Sequence, residues 1–92
     1  MASLQPPDAE ADFDPLQELL AEIWCELLNR AEVGPDDDFF DLGGQSIQAA
    51  MVTQRIRDTL QVELPVRAIF ENPTLAELTY EIRRRHPELD DD

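Results

Sequence analysis

Between residues 37 and 47 the chain reads DDFFDLGGQSI, a stretch in which two glycines stand just before a serine. No helical or strand period continues through this stretch, and a helical pattern begins directly after it, at Ser46. Glycines adopt backbone angles that other residues avoid, so Gly43-Gly44 can turn the chain sharply. Their missing side chains would also leave room for a large partner to approach. The stretch therefore predicts a turn that presents Ser46 at the start of a helix.

A serine at a helix start has two possible meanings. Its hydroxyl would lie beside unpaired backbone N–H groups and the positive end of the helix dipole, where an attached phosphate is favoured. Alternatively, Ser46 is only an N-cap, a role worth about 1 kcal/mol of helix stability. The local pattern by itself leaves both interpretations open.

Helical periodicity extends on both sides of this turn. Apolar residues recur at three- and four-residue steps over residues 15–29, 46–60 and 75–85, and no segment shows sustained alternation with period two. A short apolar group at 66–70 predicts one further helical turn. Residues 30–45 form a long loop, and loops of this length are usually functional. The sequence thus predicts an all-α fold with three long helices and one short one.

The composition limits the classes of partner and of chemistry. The 92 residues include 21 acidic residues, seven arginines and no lysine, which gives a net charge of −14. Such a field repels nucleic acid and anionic membranes, and the lack of lysine excludes Schiff-base chemistry. No apolar run approaches the roughly 20 residues of a membrane span. The single cysteine, Cys25, excludes an internal disulfide framework and suits a reducing compartment. We expect a cytoplasmic monomer.

Acidic residues are concentrated at both ends, which suggests three segments. Residues 1–12 are predicted to form a flexible acidic leader, 13–86 the folded domain and 87–92 an acidic tail. The Met1 start and these polar ends favour a freestanding protein, with a piece of a longer protein as the alternative.

An enzyme is a poor match to these residues. The nucleophile elbow G-x-S-x-G would need a glycine two residues after Ser46, where Gln48 stands instead. The only histidine, His86, lies at the predicted end of the last helix, and a serine without a base is a weak nucleophile. The three aspartates 36–38 lack the glycine and late glutamate of a calcium loop, so we interpret them as a solvated turn and predict no metal site.

Residues 37–47 resemble the phosphopantetheine-attachment motif of peptidyl carrier proteins, the thiolation domains of nonribosomal peptide synthesis within the acyl carrier superfamily. The resemblance covers roughly residues 14–85 and includes landmarks in the family's order. These landmarks are Ile23-Trp24, Leu27-Leu28, Arg55-Ile56-Arg57, Leu64-Pro65 and Phe70-Glu71-Asn72-Pro73-Thr74.

The resemblance implies a four-helix bundle that carries a covalent 4'-phosphopantetheine on Ser46. A phosphopantetheinyl transferase would attach this group from coenzyme A with magnesium. The arm would then hold an aminoacyl or peptidyl thioester for adenylation, condensation-type or tailoring enzymes, while the chain itself performs no chemistry. The attachment loop would be supported by Asp41, Leu42, Gly43, Gly44 and Gln45. The family often has His or Asp where Gln45 stands, which bears on which transferase and partners recognise the site.

The predicted second helix has two apolar faces. One stripe suits the core and consists of Ala49, Val52, Ile56 and Leu60. Ile47, Ala50 and Met51 fall on a different face, and we interpret them as an apolar partner face beside the arm. The alternative is that one or two of them only pack the loop.

Overall fold

The computed structural model describes residues 14–89, which form four α-helices. They are α1 (Pro15–Leu28), α2 (Ser46–Leu60), α3 (Arg67–Glu71) and α4 (Leu75–Arg85), followed by a 3-10 turn at Pro87–Leu89. Within these residues there is no strand, only an isolated bridge between Asp38 and Thr74. The predicted all-α fold is therefore confirmed. The predicted leader lies outside the described residues, and of the predicted tail only 87–89 are described, with Leu89 packed against the core.

Local capping signals determine where the helices begin. Asp14 Oδ1 accepts hydrogen bonds from two backbone N–H groups in the first turn of α1, at 3.2 and 3.3 Å. Thr74 and Glu77 form a reciprocal capping box at α4, with bonds of 3.1 and 3.2 Å. Helices α1 and α2 both end in a left-handed residue, Asn29 and Gln61 respectively, each at φ 58°. These caps satisfy backbone groups that a helix end otherwise leaves unpaired.

A single apolar core joins the helices, with α1 packed on both α2 and α4 and with α3 packed on α4. Trp24 is fully buried at its centre, which confirms that its helical spacing marks a core residue. The Trp24 ring meets the buried ring of Phe39 edge to face at a centroid distance of 5.1 Å. Phe39 belongs to the long loop, so the loop contributes directly to the core.

The arginines near the end of α4 are held by carboxylates. Arg83 makes a two-pronged contact with Asp14, which joins the end of α4 to the start of α1. Arg84 and Arg85 both pair with the nearly buried Glu81. The Arg83 guanidinium lowers the pKa of Asp14 against the opposing effect of burial. This end of the domain is thus stabilised by charge pairs as well as by apolar packing.

Candidate functional site

The connection between α1 and α2 is held in place by backbone hydrogen bonds to the start of α4. The bonds join Phe39 N–H to Pro73 O (2.8 Å), Leu75 N–H to Asp37 O (3.3 Å) and Ala76 N–H to Pro35 O (2.9 Å). Two of these donors belong to the first turn of α4, whose N–H groups have no partner within the helix. The loop therefore has one defined path, which ends at Ser46.

The two glycines before Ser46 have different roles. Gly43 has φ +101°, and a Cβ placed on it would meet nothing within 4 Å, so it serves the turn as predicted. Gly44 is buried, and its N–H donates to Phe39 O at 3.0 Å. A Cβ on Gly44 would overlap the Phe39 ring and lie 2.7 Å from the Phe39 carbonyl oxygen. The expectation that Gly44 leaves room for a partner is wrong, because Phe39 fills that space.

Ser46 is exposed at the first position of α2. The N-cap position belongs to Gln45, in extended conformation at φ −128°, so the interpretation of Ser46 as the N-cap is wrong. Gln48 Oε1 accepts a hydrogen bond from the Gln45 N–H at 3.0 Å and closes the helix start. Among residues 14–89 the Ser46 hydroxyl has no hydrogen-bond partner. The hydroxyl is therefore accessible and not committed to a structural role.

The charge pattern around Ser46 suits an attached phosphate. From Leu42 to Arg57 the chain contains no acidic residue, although 21 of the 92 residues are acidic. The first turn of α2 is accordingly free of carboxylates. An anion at a helix N-terminus is stabilised by the dipole and by free N–H groups. The residues present therefore fit a phosphate-linked group on Ser46.

The remaining predicted loop residues lie next to the glycine turn. Asp41 and Gln45 are exposed, whereas Leu42 is half-buried and packs against the core. The Asp41 N–H donates to Asp38 Oδ1 at 3.1 Å. The structure thus brings all five predicted loop residues into the connected segment that leads to Ser46.

The predicted division of α2 into two faces agrees with the burial of its side chains. Ala49, Val52 and Ile56 are buried in the core. Ile47 is 64% exposed, Met51 is 47% exposed, and Ala50 is also exposed. These three residues lie outside the buried core.

Two features of the site were missed by the sequence-based prediction. Phe70 of α3 is 46% exposed and stacks on the loop residue Phe40 at a centroid distance of 5.1 Å. Asp38, interpreted as part of a solvated turn, accepts hydrogen bonds from the backbone N–H groups of Phe40 and Asp41. An aspartate that bonds the backbone two residues on is a known turn signal, so Asp38 could have been found from the sequence.

Two side chains that could serve catalysis, His86 and Cys25, belong to other parts of the domain than the glycine turn. His86 contacts Glu63 O through Nε2 at 2.8 Å and the Glu88 carboxylate through Nδ1 at 3.3 Å. Cys25 is half-buried, and burial raises the pKa of its thiol. Residues 14–89 contain no cluster of side chains that could hold a metal ion. In the same range no helix is both long and apolar enough to cross a membrane.

Comparison with known proteins identifies the family. A family model described as phosphopantetheine attachment site matches residues 18–80. The chain belongs to this family. The phosphopantetheine attachment family consists of non-catalytic carriers that hold 4'-phosphopantetheine covalently and are modified by other enzymes. The predicted carrier class and its cofactor are therefore confirmed.

Relatives and solved structures place the chain among carrier domains of peptide synthesis. It is 56% identical over 59 residues to tyrocidine synthase 3 of Brevibacillus parabrevis. The matched segment makes up 64% of this chain but only 1% of that protein. It is 35% identical to BlmI, a type-II acyl carrier protein from Streptomyces verticillus involved in bleomycin biosynthesis. That match has a TM-score of 0.75 and covers 87% of this chain and 96% of BlmI.

A third match concerns the modification reaction. A chain in the structure of the phosphopantetheine transferase Sfp in complex with coenzyme A and a peptidyl carrier protein is 33% identical. Its TM-score is 0.75, and the match covers 79% of this chain and 95% of that one. The resemblance to peptidyl carrier proteins is confirmed by these findings.

Proposed function

We propose that this domain is a peptidyl carrier whose attachment point is Ser46. The 4'-phosphopantetheine arm supplies a thiol that holds an aminoacyl or peptidyl group as a thioester. The carrier would present this cargo to adenylation, condensation-type or tailoring enzymes of nonribosomal peptide synthesis. It would work as a monomer in the cytoplasm, in keeping with its single cysteine.

One observation carries the assignment to Ser46: its hydroxyl is exposed at the first position of a 15-residue helix, directly after the glycine turn. The chain's own residues act by placement. Gly43 turns the backbone, Gly44 lets it pass close to Phe39, and Gln48 holds the helix start through the Gln45 N–H. The free N–H groups at the start of α2 then favour the phosphate that joins the arm to the serine oxygen.

The attachment test uses the chain's serine content. Ser3 is the only serine besides Ser46, so Ser3→Ala is a matched control for Ser46→Ala. Each protein is incubated with coenzyme A, magnesium and a broad-specificity phosphopantetheinyl transferase, and its intact mass is measured. We expect wild type and Ser3→Ala to gain the mass of phosphopantetheine and Ser46→Ala to gain none. An unmodified wild type, or modified Ser46→Ala, would contradict the proposal.

The partner face proposed is the exposed apolar side of α2, formed by Ile47, Ala50 and Met51. An exposed apolar group near the attachment point gains free energy when a partner removes it from water. Ile47→Arg should lower the transferase kcat/KM severalfold without loss of helical circular dichroism. Thr59→Arg adds the same charge at an exposed position near the other end of α2 and serves as the control. Equal effects of the two variants would count against this face.

A further inference from the structure

We infer that Asp38 is a positioning residue for the modification of Ser46; this inference rests on the proposed function. Asp38 does not touch Ser46, and it acts through the turn that leads to it. Its carboxylate is half-buried beneath that turn rather than pointing freely into water.

Backbone hydrogen bonds hold the chain on both sides of Asp38. The carbonyl of Asp37 accepts from Leu75 N–H at 3.3 Å, and the N–H of Phe39 donates to Pro73 O at 2.8 Å. Asp38 itself forms the isolated bridge with Thr74. These partners lie at the start of α4, whose capping box and core packing make it a fixed reference. The backbone of Asp38 is therefore anchored to the body of the domain.

The side chain of Asp38 transmits this anchoring to the following turn. Its Oδ1 accepts from the N–H groups of Phe40 at 2.8 Å and Asp41 at 3.1 Å. Its carbonyl accepts from the Leu42 N–H at 3.0 Å. Three consecutive backbone donors thus end on one residue, in the manner of a helix N-cap.

The remainder of the path to Ser46 consists of backbone bonds and close packing. The N–H of Gly43 donates to Phe40 O at 3.1 Å, and that of Gly44 donates to Phe39 O at 3.0 Å. Between the α4 anchor and Gly44, Asp38 supplies the only side-chain hydrogen bonds among the described residues. Without them the turn would open more often, and a smaller fraction of molecules would present Ser46 in the conformation that the transferase binds.

The expected kinetic signature follows from this population argument. When only a fraction of the carrier molecules present Ser46 in the conformation that the transferase binds, the apparent affinity is lowered in proportion to that fraction. Loss of a cap typically changes such an equilibrium about three- to tenfold. Asp38→Ala should therefore raise the KM of the transferase for the carrier by up to about tenfold, the full factor applying when the open turn is already well populated, whereas kcat changes less than about twofold.

The experiment measures initial rates of phosphopantetheine loading against carrier concentration, with excess coenzyme A. Asp38→Asn keeps an acceptor oxygen in place and should restore the wild-type KM. Asp38→Glu keeps the charge but moves the carboxylate one methylene away, so it should remain impaired. This pair also tests the inference if Asp38→Ala fails to fold.

Two controls separate positioning from charge and from global stability. Asp36→Ala removes the same charge two residues away, from an exposed side chain with no hydrogen bond among the described residues. Asp14→Ala removes a cap of the same residue type at the distant start of α1. Both should load with the wild-type KM.

The outcomes that overturn the inference are distinct from failure of the proposed function. If either control raises KM as much as Asp38→Ala does, or if Asp38→Asn is as impaired as Asp38→Glu, Asp38 is not a positioning residue. If wild type gains no phosphopantetheine at all, the proposed function itself fails.

Discussion

Gly44→Ala should destabilise the domain through one steric contact. The added Cβ would overlap the Phe39 ring and approach the Phe39 carbonyl oxygen to 2.7 Å. Neither atom belongs to a flexible chain end, because Phe39 is fully buried against Trp24. Forcing extra volume into packed interiors costs about 1–3 kcal/mol. For a domain of this size that corresponds to a fall in Tm of roughly 5–20 °C.

The other two glycines provide matched controls within the same loop. Gly43→Ala meets no atom within 4 Å but must adopt φ +101°, so its cost is backbone strain of about 1–2 kcal/mol. Gly34→Ala meets its nearest atom, an Asp37 carboxylate oxygen, at 3.6 Å, which is ordinary contact. We expect Gly34→Ala to change the unfolding free energy by less than about 0.5 kcal/mol.

Thermal unfolding followed by circular dichroism gives the midpoints of all three variants. Trp24 fluorescence gives a second probe at the Phe39 contact. We expect Gly44→Ala and Gly43→Ala each to lower the midpoint and Gly34→Ala to leave it nearly unchanged. A Gly44→Ala midpoint equal to that of wild type, or a Gly34→Ala midpoint below it, would refute the reasoning that Phe39 determines the need for glycine at this position.

Three further predictions concern the helix ends and the cysteine. Asp14→Asn keeps the acceptor oxygen of the cap but loses the ion pair with Arg83. Because Arg83 lowers the pKa of Asp14 in the folded state, wild type should be more stable than Asp14→Asn by about 0.5–1 kcal/mol at pH 7. That advantage should begin to decline as the pH falls below about 4 and be lost only below the lowered pKa of Asp14 in the folded state, and an advantage independent of pH would contradict it. Thr74→Ala should lower the urea midpoint by an amount equivalent to about 1 kcal/mol, and an unchanged midpoint would contradict the capping role. Burial raises the pKa of the Cys25 thiol, so less of the reactive thiolate is present in the folded chain. Cys25 should therefore react more slowly with a disulfide reagent at pH 8 in the folded chain than in the urea-unfolded chain, and equal rates would contradict this.

The helices were predictable because their signals are local. The predicted bounds of α2, Ser46 and Leu60, agree with the structure, and α3 lies at the short apolar group that predicted a helical turn. The interior of the loop was not predictable in the same way. Its hydrogen bonds join residues 35–39 to residues 73–76, and backbone partners leave no trace in residue type. Gly44 was misassigned because close approach by a neighbouring ring and close approach by a partner require the same residue.

The distribution of charge reconciles a strongly acidic chain with an anionic attachment. Five of the seven arginines pair with carboxylates inside the described part. The 21 acidic residues still outnumber the seven arginines, so the net charge of the chain is −14. Along α2 the first acidic residue is Asp58, about 18 Å of helix from Ser46. That separation exceeds the Debye length of about 10 Å at 0.1 M salt, so the repulsion is largely screened. Along α2, an anion on Ser46 therefore meets free N–H groups and no nearby carboxylate, and the acidic residue nearest to it in sequence is the exposed Asp41 of the preceding loop.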